Sequence, residues 1–339
     1  MKVKEKVVLG ISGGVDSSVA AHILKEQGYE VIGVFLELGH PVPSHLNDLM
    51  NKLQIKWTTF PITPSFQESV IEKTLQMYKK GLTPNPCSIC NRDAKMWGLY
   101  MAMKEFGANF IATGHYSSVV YKTPYNVPLL RKNFDNPKDQ TYFLALIDKN
   151  IIKHLILPLS GLEKSDIYNI AREIGILDII GKKESQDICF AKKMSDFLKG
   201  HLGEIPGDVI LYPDNIVIGK HRGAHLYTVG ERLGAHPKTK DRLYVIKKEN
   251  NTLYVALRKY LLHKTIKIFE KNTFIDNIDN LKNNLLLQTR YRGPLVEIND
   301  IKDNIIIVKE AVEATPGQIA AIFTKEGYLI MGGIIKGGK

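Results

Sequence analysis

The chain is poor in cysteine and tryptophan and has no long apolar runs, and each shortage narrows what it can be. Only three cysteines, Cys87, Cys90 and Cys189, occur in 339 residues. So sparse and odd a set is no disulfide scaffold, which leaves chemistry or metal binding for the thiols. No segment reaches the roughly 18 uninterrupted apolar residues of a membrane span, and no basic start leads into an apolar segment with a cleavage site. A cytoplasmic protein without membrane contact is therefore expected. Internal repeats and low-complexity tracts are also missing. A hydrophobic content of 44% with 24% charged residues fits a soluble globular chain, and the length suggests two or three domains. What is present in excess is positive charge: 46 Lys and Arg against 35 Asp and Glu, net +11. Solvated surface charge alone would account for this; a polyanionic partner such as nucleic acid is the sharper reading.

The most informative stretch is Ser12-Gly13-Gly14-Val15-Asp16-Ser17-Ser18. An apolar run with Val3, Val7, Val8, Leu9 and Ile11 leads into it, as in a buried parallel strand. Beyond it, Val19 stands over Ile23 and Ala20 over Leu24, the spacing of a helix with one apolar face. Strand, tight turn and helix start make an anion site from free N–H groups and the helix dipole, with glycines that let a ligand approach. A P-loop would need G-x-x-x-x-G-K-S/T, and no lysine fills that slot. The string instead resembles the SGGxDS loop of the PP-loop ATP pyrophosphatases, which split ATP between its α and β phosphates. That resemblance implies ATP with Mg²⁺ as ligand. The plainer alternative is a capped helix, its serines satisfying the first N–H groups.

Strands are expected at Glu30–Leu38, Lys56–Ile62 and Phe110–Tyr116, and helices at His45–Gln54, Ser65–Lys80 and Arg92–Phe106. Gly81 to Pro86 reads as a stiff extended break, which Cys87 to Asn91 closes. Alternating strands and helices predict an α/β fold with a doubly wound parallel sheet, ligands lying at the strand ends. Beyond Lys199 the pattern changes. Pro206 to Gly234 reads as a small β-rich module with turns at Pro213-Asp214-Asn215 and Gly219. From about Thr265, short strands at 285–291, 295–298, 305–309, 318–323 and 328–335 suggest a C-terminal antiparallel β-barrel. The expected domains are 1–199, 200–262 and 263–339.

Eight further strings narrow the resemblance: TPNPCSICN (Thr83–Asn91), ATGHY (Ala112–Tyr116), KDQTYFL (Lys138–Leu144), ESQDICF (Glu184–Phe190), GKHRGAHLYTVGERLG (Gly219–Gly234), TRYRG (Thr289–Gly293), TPGQ (Thr315–Gln318) and a terminal GGIIK. With SGGVDSS they run through the whole chain in the order found in the bacterial tRNA-specific 2-thiouridylase family, which the chain resembles. That family places sulfur on C2 of the wobble uridine of tRNA. The residues alone admit such chemistry. A pyrophosphate loop implies attack at the α-phosphate of ATP, and an adenylated carbonyl oxygen is a good leaving group. One thiol can deliver sulfur as a persulfide, and a second can complete the exchange by forming a Cys–Cys disulfide. Cys90, at the start of a predicted helix, is expected to have a thiol pKa lowered by the dipole.

The family resemblance implies roles by matching position. Cys189 would carry the persulfide, taken from a sulfur-relay protein or cysteine desulfurase, and Cys90 would be the second catalytic cysteine. Gly10, Ile11, Ser12, Gly13, Gly14, Val15, Asp16, Ser17 and Leu36 would hold ATP, with Gly114 near the adenine or ribose. Asn85, Pro86 and Cys87 would surround an extruded uridine. His115, Lys138, Asp139, Gln140, Arg290, Tyr291 and Gln318 would touch tRNA. Each has a plainer reading: a structural histidine in a strand, a solvated loop, a charged strand edge. Two features depart from the family. Cys87 stands where some members carry an Asp proposed as general base, and the segment between Leu38 and Lys56 is shorter than usual. Cys87, Cys90 and Cys189 also admit a 4Fe–4S cluster with one open iron. The other classes open are a different PP-loop adenylating synthetase and a non-catalytic RNA-binding protein; a monomer is expected.

Overall fold

The apolar run before the serine–glycine turn forms β1 (Lys6–Gly10), with Val7, Val8 and Leu9 fully buried. β2 (Glu30–Glu37) and β3 (Lys56–Pro61) extend the sheet on one side of it. On the other side lie β4 (Phe110–Ala112) and, after a hairpin of β5 (Ser118–Val120) and β6 (Leu129–Arg131), β7 (Leu155–Ile156). The five strands, in the order β3-β2-β1-β4-β7, are all parallel. The structure, a computed structural model, describes residues 4–39, 41–180, 189–233, 242–278, 281 and 284–338.

Alternation along β1 sends its side chains to two cores. Val7 and Leu9 pack under helices Val15–Glu26, Leu46–Leu53 and Lys164–Glu173, while Val8 packs toward helix Met96–Glu105. Helices therefore cover both faces, as the doubly wound reading requires. Chain progression reverses direction between β1 and β4, so the carboxyl ends of these two strands flank a topological switch point, where open α/β sheets bind ligands. Among the described residues no helix is long and apolar enough to cross a membrane.

β8 (Gly207–Leu211), β9 (Ile216–His221), β10 (Tyr244–Glu249) and β11 (Thr252–Ala256) form a second sheet, ordered β10-β11-β8-β9, over a small core of its own. The turn at Pro213–Asn215 joins β8 to β9. Gly219, expected as a turn, instead lies within β9 opposite Val209, beside a register shift that a side-chain-free residue eases. Gly234, the last residue of the string that begins at Gly219, lies outside the described residues.

β12 (Leu262–Thr273), β13 (Leu285–Gln288), β14 (Leu295–Lys302), β15 (Ile305–Glu313), β16 (Ile319–Thr324) and β17 (Leu329–Gly338) close into an antiparallel barrel. Every residue of β16 is buried, because its outer face packs on the first sheet's layer instead of facing water. The seam is built from the Lys138–Leu144 string. The hydroxyl of fully buried Tyr142 accepts from the Ile319 N–H at 3.2 Å and lies 3.1 Å from Ile319 O and 3.3 Å from Thr289 O. Asn272 Nδ2 donates to Ile147 O at 2.9 Å. One apolar core thus runs from the sheet into the barrel. Helix Met194–Leu202 spans the first expected domain boundary.

Candidate active site

The segment Ser12–Ser18 leaves β1 through Gly13, whose φ of +78° turns the chain, and enters helix Val15–Glu26 at Gly14. Its serines do not cap the first helical turn. Ser17 Oγ and Ser18 Oγ donate to Gly14 O at 3.0 and 2.9 Å, and Ser12 Oγ accepts from the Gly14 N–H at 3.4 Å. Gly14 has no side chain to offer, so the leading N–H groups of the helix keep their capacity for an anion. The hydroxyls brace the turn, and the donor set fits a phosphate. Pro43 and His45 from the 39–55 segment fold over the loop, and the His45 ring donates through Nε2 to Gly13 O at 2.9 Å.

Asp16 is held by two groups: the Tyr116 hydroxyl donates to its Oδ1 at 2.6 Å, and Lys164 Nζ lies 2.8 Å from the same oxygen. Gly114 follows β4 and lies flat against this turn. A Cβ there would stand 3.1 Å from Asp16 C and from Ser17 N, close enough that the turn would have to shift by a few tenths of an ångström. His115, next in line, shares a 2.7 Å hydrogen bond between its Nδ1 and Thr113 Oγ1. Burial first, then the charge of Lys95, push its pKa down to about 3, so the imidazole is neutral at pH 7. Leu36, buried at the carboxyl end of β2, packs against Gly98.

The expected break from Gly81 to Pro86 ends one residue early, because Pro86 already begins a helix. Asn85 caps helix Pro86–Cys90, its Oδ1 accepting from the Ser88 N–H at 3.0 Å, and Pro86 occupies the first turn where its missing N–H costs nothing. The extended part is clamped by the other two sheets. The Thr83 N–H donates to Pro316 O at 2.7 Å, Gln318 Nε2 donates to Thr83 O at 2.9 Å, and Gly317 abuts the Thr83 backbone. From the central sheet, buried Lys248 donates to Tyr227 O at 2.8 Å and reaches Leu82 O at 3.4 Å. Burial lowers the Lys248 pKa to about 8, with Glu231 opposing.

Cys90 is buried, Cys87 half-buried and Cys189 exposed, and no disulfide joins them. The expectation of an acidified Cys90 is overturned: burial pushes its thiol up to about 11, against the downward pull of Lys95, with Cys189 and Cys87 adding small upward contributions. The dipole cannot win because the sulfur lies a full turn inside a continuous helical stretch and is desolvated there. Cys90 and Cys189, about a hundred residues apart in sequence, are thus within electrostatic reach of one another. Phe190 holds the second thiol in place by edge-on contact with Phe66 at 6.2 Å and Phe197 at 5.0 Å. Although the residue as a whole is exposed, protein atoms around its sulfur desolvate the Cys189 thiol enough to raise it, and Lys95 again opposes the shift. Residues 184–188 of the ESQDICF string lie outside the described residues. Among the described residues no three His, Cys, Asp or Glu side chains group as metal ligands, so the 4Fe–4S alternative has no support.

The expected RNA-contact stretches divide. Asp139 is buried, with Lys132 Nζ 3.2 Å from Oδ1, the Thr141 N–H at 3.0 Å and the Asn133 N–H at 2.9 Å from its two oxygens. Gln140 Oε1 accepts from the Tyr116 N–H at 3.1 Å. Both therefore organise the loop from within, whereas Lys138 stays half-exposed. Arg290 and Tyr291, expected in a strand, lie in the turn after β13. Tyr291 packs 4.5 Å from the Phe143 ring, and neighbouring Arg292 donates to Pro137 O at 3.1 Å, so this turn and the 138–140 loop meet. Tyr116, Lys164, His45 and Lys95 escaped the sequence reading. Only Tyr116 lay inside a recognised string, and its hydroxyl's partner is a hundred positions away.

Residues 5–193 match the tRNA methyl transferase HUP domain and residues 195–257 the tRNA methyl transferase PRC-barrel domain. The tRNA-specific 2-thiouridylase MnmA of Hydrogenobaculum sp. (strain Y04AAS1) is 38% identical over 352 residues, covering 97% of this chain and 99% of that protein. Its counterpart in Persephonella marina is 36% identical with the same coverage, and that of Mesoplasma florum 35% identical over 98% of this chain and 99% of that protein.

Proposed function

Because the chain belongs to the tRNA-specific 2-thiouridylase family, we propose that it is an ATP-dependent tRNA sulfurtransferase. It activates the C2 carbonyl oxygen of the wobble uridine as an adenylate and replaces that oxygen with sulfur, releasing pyrophosphate and AMP. One observation supports the reading: a run of neighbouring groups links two sequence-distant thiols to a phosphate-type turn. Gly114 touches Asp16 and Ser17, its neighbour His115 feels Lys95, and Lys95 acts on both Cys90 and Cys189.

In this reading the Ser12–Ser18 turn and the helix behind it grip the leaving pyrophosphate. Mg²⁺, arriving on the nucleotide, would neutralise phosphate charge beside Asp16. The terminal sulfur of a Cys189 persulfide attacks C2, and the C2–O bond breaks as AMP departs. The Cys90 thiolate then attacks Cys189 Sγ, cleaving the S–S bond to the base. 2-Thiouridine is released, its nitrogen recovering a proton, and a Cys90–Cys189 disulfide remains for a dithiol reductant. The exposure of Cys189 suits loading by a sulfur-relay protein or cysteine desulfurase, and the burial of Cys90 protects the resolving thiol from that donor. Asn85, Pro86 and Cys87 would line the extruded base, and Lys138, Arg290 and Arg292 would meet the RNA backbone. The test is nucleoside analysis of tRNA from cells lacking the gene. Loss of 2-thiouridine at the wobble position is expected, and unchanged tRNA would refute the assignment.

A further inference from the structure

The turn Asn91–Lys95, which follows Cys90, is wound as a π-helix, the Met96 N–H donating to Asn91 O five residues back. In an α-helix of about 3.6 residues per turn, residue i+5 stands roughly 140° round from residue i. The wider π-turn returns it toward the same side. Lys95 is therefore brought toward Cys90, and both its charge and its backbone N–H favour the thiolate there. The other charged residues of the turn face away. Arg92 pairs with Asp93 and reaches Glu270 at 2.6 Å, where Lys73 joins at 3.3 Å. Lys95 is half-buried and forms no ion pair with a carboxylate among the described residues.

We infer that Lys95 is a further working residue of the thiol site, its ammonium serving as counter-charge to the sulfur anions that form at Cys90 and Cys189 during exchange. This rests on the sulfur-transfer reading above. The groups facing Cys90 are Cys87 from its own turn, Cys189 and Lys95, and among the described residues no other cation acts on it. His115, held neutral, brings no second positive charge. An ammonium kept partly out of water is costly, and part of the cost is recovered when an anion forms beside it. Lys95 opposes the burial that disfavours both thiolates, so it acts where the exchange chemistry needs charge.

The test follows iodoacetamide modification of Cys90 and Cys189, resolved by peptide mass spectrometry, across pH in the full chain without tRNA or ATP. Lys95→Met should shift both rate profiles to higher pH and slow modification near neutrality about three- to tenfold, whereas Lys95→Arg stays within about twofold of wild type. tRNA thiolation should fall at least about tenfold in Lys95→Met and recover in Lys95→Arg. Should Lys95→Met not fold, Lys95→Gln gives the same reading. Profiles that coincide with wild type in the neutral variant overturn the inference and leave the thiolation assignment standing. A wild-type protein that never thiolates tRNA removes that assignment while the alkylation profiles still report on Lys95.

Discussion

Replacing Gly317 by alanine tests whether the barrel holds the catalytic loop in register. Gly317 has φ of +96°, and a Cβ there would stand 2.7 Å from Thr83 C and N and 2.8 Å from Thr83 O. Carbon atoms in contact prefer about 3.5–4.0 Å, so the two backbones must separate by close to 1 Å. Backbone strain for a non-glycine residue contributes about 1–2 kcal/mol, and overpacking about 1–3 kcal/mol. The hydrogen bonds from Thr83 N to Pro316 O and from Gln318 Nε2 to Thr83 O are strained with them. The sum is about 2–5 kcal/mol, concentrated on the segment that leads into Cys87 and Cys90. A displacement near 1 Å at a reacting group costs on the order of a hundredfold, so thiolation should fall roughly ten- to a hundredfold. ATP affinity should stay within about twofold, because the Ser12–Ser18 turn is held by other residues. Gly107→Ala is the control: its φ is +59° but nothing lies within 4 Å of the added carbon, so it carries strain without collision. Thermal unfolding, nucleotide binding and thiolation would be measured on both variants. If Gly317→Ala thiolates at the wild-type rate and melts no lower than Gly107→Ala, the clamp is not what positions the loop.

Three other outcomes are expected. With its thiol pushed up to about 11 from the ordinary 9.0, Cys90 should be alkylated about a hundredfold more slowly than a free cysteine at pH 8, its rate rising until about pH 11; an apparent pKa at or below 9 would contradict the burial account. Asp16→Asn should cut tRNA-dependent pyrophosphate release at least about a hundredfold, since it removes the charge held between Tyr116 and Lys164, and release at the wild-type rate would show the turn misassigned. His115 titrates near 3 in the folded chain and near 6.5 in the unfolded one. Only the unfolded state takes up that proton as pH falls below 6.5, so the stability contribution is complete above 6.5 and is lost toward 3, at most about 2 kcal/mol by pH 5. Denaturant unfolding of His115→Gln should show that much less loss between pH 7 and 5, and an identical pH dependence would remove His115 as the cause.

Local patterns carried the first sheet well. The period-2 and period-3.6 runs around Val7–Leu24 place β1 and the body of its helix, because burial leaves a strong apolar signature, but the helix begins four residues early, at Val15, inside the stretch that reads as turn. Short-range signals were misweighed in three places. Asn85-Pro86 looks like a break but is a cap and first-turn proline, Gly219 looks like a turn but sits within a strand, and Arg290-Tyr291 look like strand but form a turn. The Cys90 thiol went the opposite way because burial, a tertiary property, outweighs a dipole that sequence position alone suggests. Contacts across the whole chain, such as Tyr142 to Ile319 or Gln318 to Thr83, leave no periodic trace at either end. The π-turn that aims Lys95 at Cys90 has no sequence signature of comparable strength, which is why that residue escaped the reading.

The most direct measurement is a single turnover of the Cys189-persulfide enzyme with ATP and the anticodon stem-loop, quenched and analysed together for nucleosides and for cysteine-containing peptides. One Cys90–Cys189 disulfide should appear for each 2-thiouridine formed, and neither should appear without ATP. Thiolated RNA with both cysteines still reduced, or a disulfide that forms without thiolated RNA, would contradict the joint action of the two thiols.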